Sequence, residues 1–288
     1  MGVLRLASGS SVEYMPHVAA MLHSLLEHRG GLDLEAHYLH APEASRADLD
    51  AMVAMVETGG GRLELHEIPA ERIEGLKPII RIPVNMWYRT FLPELLPDVD
   101  KILYLDADVI AVDSVEPLWA MDLDGNYVGA VTNVWERWNL DFVRSLELQR
   151  PYFNSGVLVM NLDLMRRDDA TAKVLAYARA HERVPWGDQT ALNVVLGARR
   201  LDLHPRWNCM NSVLTFEDAI EVFGEQAVRE ARENPALRHF EGPDANKPWH
   251  AQCTDAVAQA EYLRHRRATP WPEVKLDGRR RLLRLPRR

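Results

Sequence analysis

Asp106 and Asp108 stand one residue apart, directly after the apolar run Ile102–Leu105 in "KILYLDADVI". Carboxylates at that spacing suit a divalent cation. Residues i and i+2 of an extended chain point to the same side about 6.5 Å apart, and a bend brings them within reach of one ion. The triplet alone decides little, because the chain has four: Asp48/Asp50, Asp98/Asp100, Asp106/Asp108 and Asp122/Asp124. Asp48/Asp50 falls in a helical pattern, Asp98/Asp100 in a loop after Pro97, and Asp122/Asp124 in a loop running to Gly125 and Asn126. Only Asp106/Asp108 follows a continuous apolar run of the kind that fills a buried parallel strand. Ligands of open α/β sheets collect beyond the carboxyl ends of such strands. From these residues two readings stay open: carboxylates solvating a loop, or ligands of Mg²⁺ or Mn²⁺ that share the ion with substrate phosphates.

The elements that must position them alternate. Val3–Ala7 reads as a strand, "SGSS" as a polar loop and Met15–Leu26 as a helix. A strand over Glu35–Leu39, a helix over Ala44–Glu57, the turn "GGG" at 59–61 and a strand with Leu63 and Leu65 repeat the order. A helix over Val84–Leu95, ended by Pro97, precedes "KILYLDADVI". Strands alternating with helices predict an α/β fold with a parallel sheet covered on both faces.

At 288 residues, 47% hydrophobic and 26% charged, the chain reads as globular, with one large or two small domains. It has no run of 18 apolar residues and no secretory leader pattern, so a cytoplasmic location is expected. Two cysteines, Cys209 and Cys253, fit a reducing compartment and supply neither a disulfide framework nor a Cys-rich zinc site. The net charge of −8 argues against a nucleic-acid partner. From Tyr262 to Arg288, however, ten Lys/Arg face two acidic residues, a local +8 that leaves −16 on the rest. The tail "DGRRRLLRLPRR" mixes Arg with Leu282, Leu283 and Leu285. Such a segment either contacts an anionic membrane surface peripherally, on the inner face, or remains a solvated tail.

Five segments then fall in order: "YRTFLPELLPDVDKILYLDADVI" (88–110), "SVEPLW" (114–119), "YFNSGVLVMNLDLMR" (152–166), "WGDQTALNVVL" (186–196) and "HFEGPDANKPWH" (239–250). Together they resemble glycosyltransferase family 8, the retaining enzymes that include bacterial lipopolysaccharide α-galactosyltransferases and glycogenin. The resemblance runs from about residue 3 to about residue 253. It implies a GT-A type fold over residues 1–255, a mostly parallel central sheet flanked by helices, and the charge count leaves residues 256–288 as a basic tail. It implies a transferase that moves a hexose, galactose or glucose, from a nucleotide sugar, UDP-linked, to a glycan or glycolipid acceptor, with Mn²⁺ or Mg²⁺. By the resemblance, Asp106, Asp108 and His239 hold the metal and Lys247, with Gly242 before it, meets the diphosphate. Asn154 and Asn133 bind the donor sugar, Asp188 holds its hydroxyls, Gln189 lies near the anomeric carbon, and Arg89 contacts donor sugar or phosphate. Asn133 stands where the galactosyltransferases have Asp.

One segment departs from the family. In place of the short Asp-rich stretch and Asn-Tyr that bind the uracil ring, this chain has "ASGSSVEYMPHVAAML", with Gly9, Ser10 and Ser11 replacing the acid. Ser10, Ser11 and Glu13 are the residues left to meet a base. Duller roles exist for others: Arg89 could pair with a surface carboxylate, and Asp188 could cap the helix that follows it. Two rival functions share the motif. A haloacid dehalogenase-like phosphatase also places Asp-x-Asp after an apolar strand, with the first Asp as nucleophile, but tends to do so at the start of its domain. A non-catalytic binder of nucleotide sugar or glycan would need no turnover.

Overall fold

The run Ile102–Leu105 is apolar throughout because both of its faces are covered. Leu103 and Leu105 join one buried cluster with Leu4, Leu6, Leu22 and Leu34, while Ile102 and Tyr104 join another with Leu39, Trp87, Phe91 and Leu158. Alternation along a strand sends successive side chains to opposite faces, so a sheet packed on both sides has no polar face to show in its sequence. The computed structural model describes residues 2–76, 84–134, 140–181, 184–242 and 244–278.

Among these residues the chain forms β1 (Val3–Ser10), α1 (Met15–His28), β2 (Asp33–His40), α2 (Arg46–Thr58), β3 (Gly61–Glu67), β4 (Lys101–Leu105), β5 (Val109–Ala111), β6 (Val128–Ala130) and β7 (Val157–Asn161). It continues with α3 (Ala170–Ala180), α4 (Asp188–Leu196), β8 (Arg200–Asp202), β9 (Cys209–Met210), α5 (Glu225–Glu233), β10 (Leu237–His239) and α6 (Ala256–Arg267), with shorter helical turns between. The main sheet has the order β3-β2-β1-β4-β7-β6-β8. The first four strands are parallel, β7 runs antiparallel to both β4 and β6, and β8 is parallel to β6. This is the α/β architecture expected, with its mostly parallel sheet. A smaller sheet, β5-β10-β9, branches off where β4 ends.

That branch positions the carboxylates. Asp106 N–H donates to Gly156 O at 2.8 Å, closing β4 against the start of β7, and Phe240 N–H donates to Asp108 O at 2.9 Å. β10 pairs with β5 so that His239 faces Val109, the residue after Asp108.

Two expectations are revised. Val84–Leu95 is not one α-helix: Val84–Phe91 is a 3₁₀ helix and a short α-helix follows over Leu92–Leu95. Pro93 has no N–H to give to the carbonyl four residues back, so the two turns cannot fuse into one ladder. Residues 256–278, counted with the basic tail on composition, are folded onto the domain. α6 packs against α1 with Tyr262 and His265 buried, Arg264 forks onto Glu27 at 2.8 and 2.9 Å, and Asp277 returns to pair with His250. The remaining residues, 279–288, lie outside the described residues. No described helix is long and apolar enough to cross a membrane.

Tyr262 tests this docking: its ring packs on Phe240 and Trp249 and its hydroxyl meets His17 Nδ1 at 2.5 Å. Tyr262→Ala is expected to cost about 3 kcal/mol in urea denaturation, as truncation of a buried aromatic side chain does. An unchanged midpoint would mean that α6 contributes no packing.

Candidate functional site

Asp106, Asp108 and His239 bring ligand atoms within 4.8 Å of one another. His239 Nε2 lies 3.3 Å from Asp108 Oδ1, and Lys247 closes on the other oxygen of Asp108 while donating to Phe240 O at 2.8 Å. Burial works against the charge on Asp108, yet the Lys247 ammonium holds its carboxyl well below the usual range. Burial likewise opposes the charge on Lys247, and Asp108 holds its ammonium above the ordinary lysine value.

His239 is oriented from behind. Its Nδ1–H donates to Asn208 Oδ1 at 2.8 Å, and Asn208 Nδ2 donates in turn to Asn154 Oδ1 at 2.9 Å. With Nδ1 carrying the proton, Nε2 presents its lone pair toward the two carboxylates, as metal-binding imidazoles require. Asn154 Oδ1 also accepts from Gly156 N–H at 2.9 Å, so the "FNSG" turn and the imidazole are one network. Gly156 has to be glycine here: a Cβ would stand 2.4 Å from His239 Cε1 and 2.9 Å from Asp106 Oδ2.

A second charge cluster adjoins the first through Arg89, which is only 4% exposed. Its Nη1 lies 3.1 Å from Asp106 Oδ1, its Nε lies 2.6 Å from Asp188 Oδ2, and Nη1 also donates to Ser155 O at 2.5 Å. The guanidinium sits 4.5 Å above the Tyr104 ring. Burial opposes its charge, but Asp106 and Asp188 hold Arg89 above its ordinary value. Arg89 is therefore the buried link between two carboxylates, not the partner of a surface one. Asp188 starts α4 without capping it, since Gly187 takes the N-cap position and no side chain caps the helix. Its carboxyl is 2% exposed; its Oδ2 meets Arg89 at contact distance without a well-directed hydrogen bond. Burial pushes it up to about 7 against the pull of Arg89.

The turn before Asp188 is unusual in its backbone: Trp186 and Gly187 both have positive φ, 54° and 53°, which costs energy at a bulky side chain. The Trp186 ring is held edge-on by Tyr152 at 5.9 Å. Gln189 Oε1 accepts from Ser155 N–H at 3.0 Å and its Nε2 reaches Tyr152 Oη at 3.5 Å. Asn133 is buried beside the same wall, its N–H donating to Tyr152 O at 2.8 Å. Gly242, with φ of 93°, turns the chain from His239 toward Lys247.

The structure thus brings together Asp106, Asp108, His239, Lys247, Arg89, Asp188, Gln189 and Asn154. Ser10 is placed differently. It ends β1, buried, and its hydroxyl is committed to Tyr38 Oη at 2.8 Å and Ser11 O at 2.9 Å, so its side chain serves the sheet. Asn208, which sequence reasoning missed, fixes the His239 tautomer. An amide inside the apolar stretch "WNCM" was the available signal, because a fully buried amide must spend its hydrogen bonds on something. The rings of Tyr14, His17 and Trp249 were also missed as a group: His17 stacks on Trp249 at 3.7 Å and Tyr14 meets it edge-on at 5.8 Å. Burial, with Arg266 nearby, pushes His17 down to about 3.

Comparison with known proteins agrees with this geometry. The family model of glycosyl transferase family 8 matches residues 5–253. General stress protein A of Bacillus subtilis is 28% identical over 221 residues, 75% of this chain and 76% of that protein. The lipopolysaccharide 1,2-glucosyltransferase of Escherichia coli K12 is 25% identical over 252 residues, 86% and 73% of the two chains. The crystal structure of the galactosyltransferase LgtC in complex with donor and acceptor sugar analogs superposes with a TM-score of 0.82 at 26% identity, covering 93% of this chain and 96% of that one. These matches favour neither the phosphatase nor a fold outside the GT-A type.

The raised Asp188 carboxyl makes a pH prediction. The folded state binds this proton more tightly than the unfolded chain, so the stability it contributes is complete below the ordinary value of 3.8 and is lost as the pH rises through about 7. Urea denaturation at about pH 5 and about pH 8 should show the wild type losing more stability than Asp188→Asn over that interval. An equal slope in the two proteins would mean that Arg89 keeps the carboxylate ionised throughout.

Proposed function

This chain belongs to glycosyl transferase family 8, and from that premise we propose that it moves a hexose, galactose or glucose, from a UDP-sugar to a glycan or glycolipid acceptor with retention of configuration. The observation that carries the proposal is the convergence of Asp106, Asp108 and His239 beside Lys247 at the carboxyl end of β4. The donor set fits a divalent cation. Carboxylates suit Mg²⁺ and Mn²⁺, the imidazole inclines the site toward Mn²⁺, and the proton on His239 Nδ1 leaves Nε2 free to ligate. When bound, the cation neutralises charge on the leaving diphosphate.

The chain's own residues do the rest. Lys247 adds a fixed positive charge for the diphosphate and stabilises it as it departs. Asn154 and Asn133 present amides to the donor sugar, and Asp188 accepts from its hydroxyls. Arg89 holds Asp106 and Asp188 in register, so its role is to position those carboxylates. The acceptor hydroxyl attacks the anomeric carbon from the face that the diphosphate leaves. The carbon–oxygen bond to phosphate breaks, and the hydroxyl proton passes to a departing phosphate oxygen. Gln189 is the group nearest to a nucleophile for the rival double-displacement route, but it is a neutral amide whose oxygen is already engaged by Ser155 N–H. A glycosyl adduct on Gln189 or Asp188, seen by intact mass spectrometry, would replace front-side attack.

Nucleotide release from UDP- and GDP-sugars with Mn²⁺ tests the activity. Release from one donor is expected, reduced at least ~100-fold in Asp108→Asn, since several kcal/mol of leaving-group stabilisation depend on the metal. Asn208→Ala is expected to weaken Mn²⁺ binding by about 10- to 100-fold, the usual effect of removing a group that orients a ligand. Calorimetric binding of UDP without turnover of any donor would instead favour a binding protein.

The location we propose is cytoplasmic, with peripheral contact at the inner face of the membrane through residues 279–288. Its support is the mixture of six arginines, Arg279 to Arg288, with three leucines. Deleting residues 279–288 should abolish sedimentation with anionic vesicles while leaving neutral vesicles unaffected; unchanged sedimentation rejects the contact.

A further inference from the structure

A second polar cluster lies on the main sheet away from the transfer site. β2 and β3 pair in parallel with His37 opposite Glu64 and Leu39 opposite His66. Glu35, His37, Glu64 and His66 therefore share one face of two adjacent strands, the face that carries Leu39 into the core. His37 Nδ1 lies 3.1 Å from His66 Nε2 and 3.5 Å from Glu64 Oε2, and its Nε2 lies 3.4 Å from Glu35 Oε1. The His37, Glu64 and His66 ligand atoms all fall within 4.8 Å of one another.

The burial of His37 and the placing of its neighbours are what make this cluster informative. The ring is 3% exposed, and its Nε2 makes no well-directed hydrogen bond. With its proton on Nε2, facing Glu35, His37 turns its Nδ1 lone pair toward His66 Nε2, from which it can accept a hydrogen bond, and toward Glu64 Oε2. If the proton is on Nδ1, the buried Nε2 lone pair faces Glu35 instead. Arg5 approaches Glu35 at 3.5 Å and Arg62 closes on Glu64 Oε1. Each cation lies on its carboxylate, and Glu64 Oε2 is left facing the ring.

We propose that His37 Nδ1, His66 Nε2 and Glu64 Oε2 form a site for a transition-metal dication, Zn²⁺ foremost, with Glu35 receiving the Nε2–H of His37. Two imidazoles and one carboxylate with an open fourth position are a zinc-type donor set. Nitrogen atoms 3.1 Å apart, each about 2.0–2.1 Å from an ion, subtend roughly 100° at it, close to tetrahedral. The carboxylate behind His37 and the arginine behind Glu64 are the outer partners that fix ligand orientation. The preference is opposite to that of the Asp106–Asp108–His239 site, since nitrogen-rich sites favour Zn²⁺ over Mg²⁺ and Mn²⁺. The bound ion would tie the edge strand β3 to β2.

The test uses the full chain carrying Asp108→Asn, so that the transfer site is weakened and the outcome does not depend on the transferase reading. Metal-free protein is titrated with Co²⁺, read by its visible absorption, and with Zn²⁺ against a chromogenic chelator. One equivalent is expected, unaffected by millimolar Mn²⁺ and raising the melting temperature. His66→Ala and Glu64→Gln, at partly exposed positions, are each expected to weaken Zn²⁺ binding at least 10-fold with an unchanged circular dichroism spectrum. Absence of Zn²⁺ binding in the parent protein overturns the proposal, as does equal binding when both substitutions are combined.

Discussion

Asp108 leaves β4 into a place where water is largely excluded, and its carboxylate lies between Lys247 and His239. Withdrawing an ion from water costs several kcal/mol unless partners compensate it. The local architecture follows from that constraint. β10 is paired to β5 in the register that brings His239 up beside Val109. Gly242 turns the chain so that Lys247 folds back, and Gly156 stays small so that the imidazole and Asp106 can approach. Loss of any one of these contacts leaves a charge buried without its partner.

The adjoining cluster obeys the same arithmetic. Arg89 sits between Asp106 and Asp188, so three carboxylates face two fixed cations, Arg89 and Lys247. The excess is one negative charge, or none when Asp188 holds a proton, which its rise to about 7 places within the physiological range. A site balanced in this way accepts a dication and then an anionic diphosphate without a large change in net charge. Such a site adds little to stability, because buried pairs barely repay their desolvation. Stability rests on the two apolar clusters that cover the faces of the main sheet.

The strained Trp186-Gly187 turn serves the same site from the other side. It starts α4 at Asp188, which places that carboxyl against Arg89 and sets Gln189 on the Ser155 amide. Tyr152, the neighbour of Trp186, also contacts Thr190 and Gln189. The cost of the positive φ at Trp186 is thus offset by ring packing and by a network of polar contacts that cannot relax one at a time.

The sequence alone determined the alternating strands and helices, and it singled out Asp106/Asp108 from four similar triplets, because both depend on local pattern: apolar periodicity and the buried run before the pair. The order of "FNSG", "GDQ" and "HFEG…KPWH" after them sufficed to indicate the family, and hence His239 and Lys247. Local pattern could not give the role of Arg89, whose partners Asp106 and Asp188 are brought to it only by the fold. Nor could it find Asn208, whose hydrogen bond to His239 joins the turn just before β9 to the end of β10, residues far apart in sequence. The fate of residues 256–278 was likewise hidden, since counting charge does not show which side of a basic helix is packed. Tyr262 and His265 are buried against α1 while Arg264 reaches out to Glu27. Ser10 looked free in sequence and is spent on Tyr38 in the structure, because β1 and β2 pair in register to their last residues, Ser10 opposite His40. Composition and spacing fix what a residue can do; strand register and burial decide which neighbours it does it with.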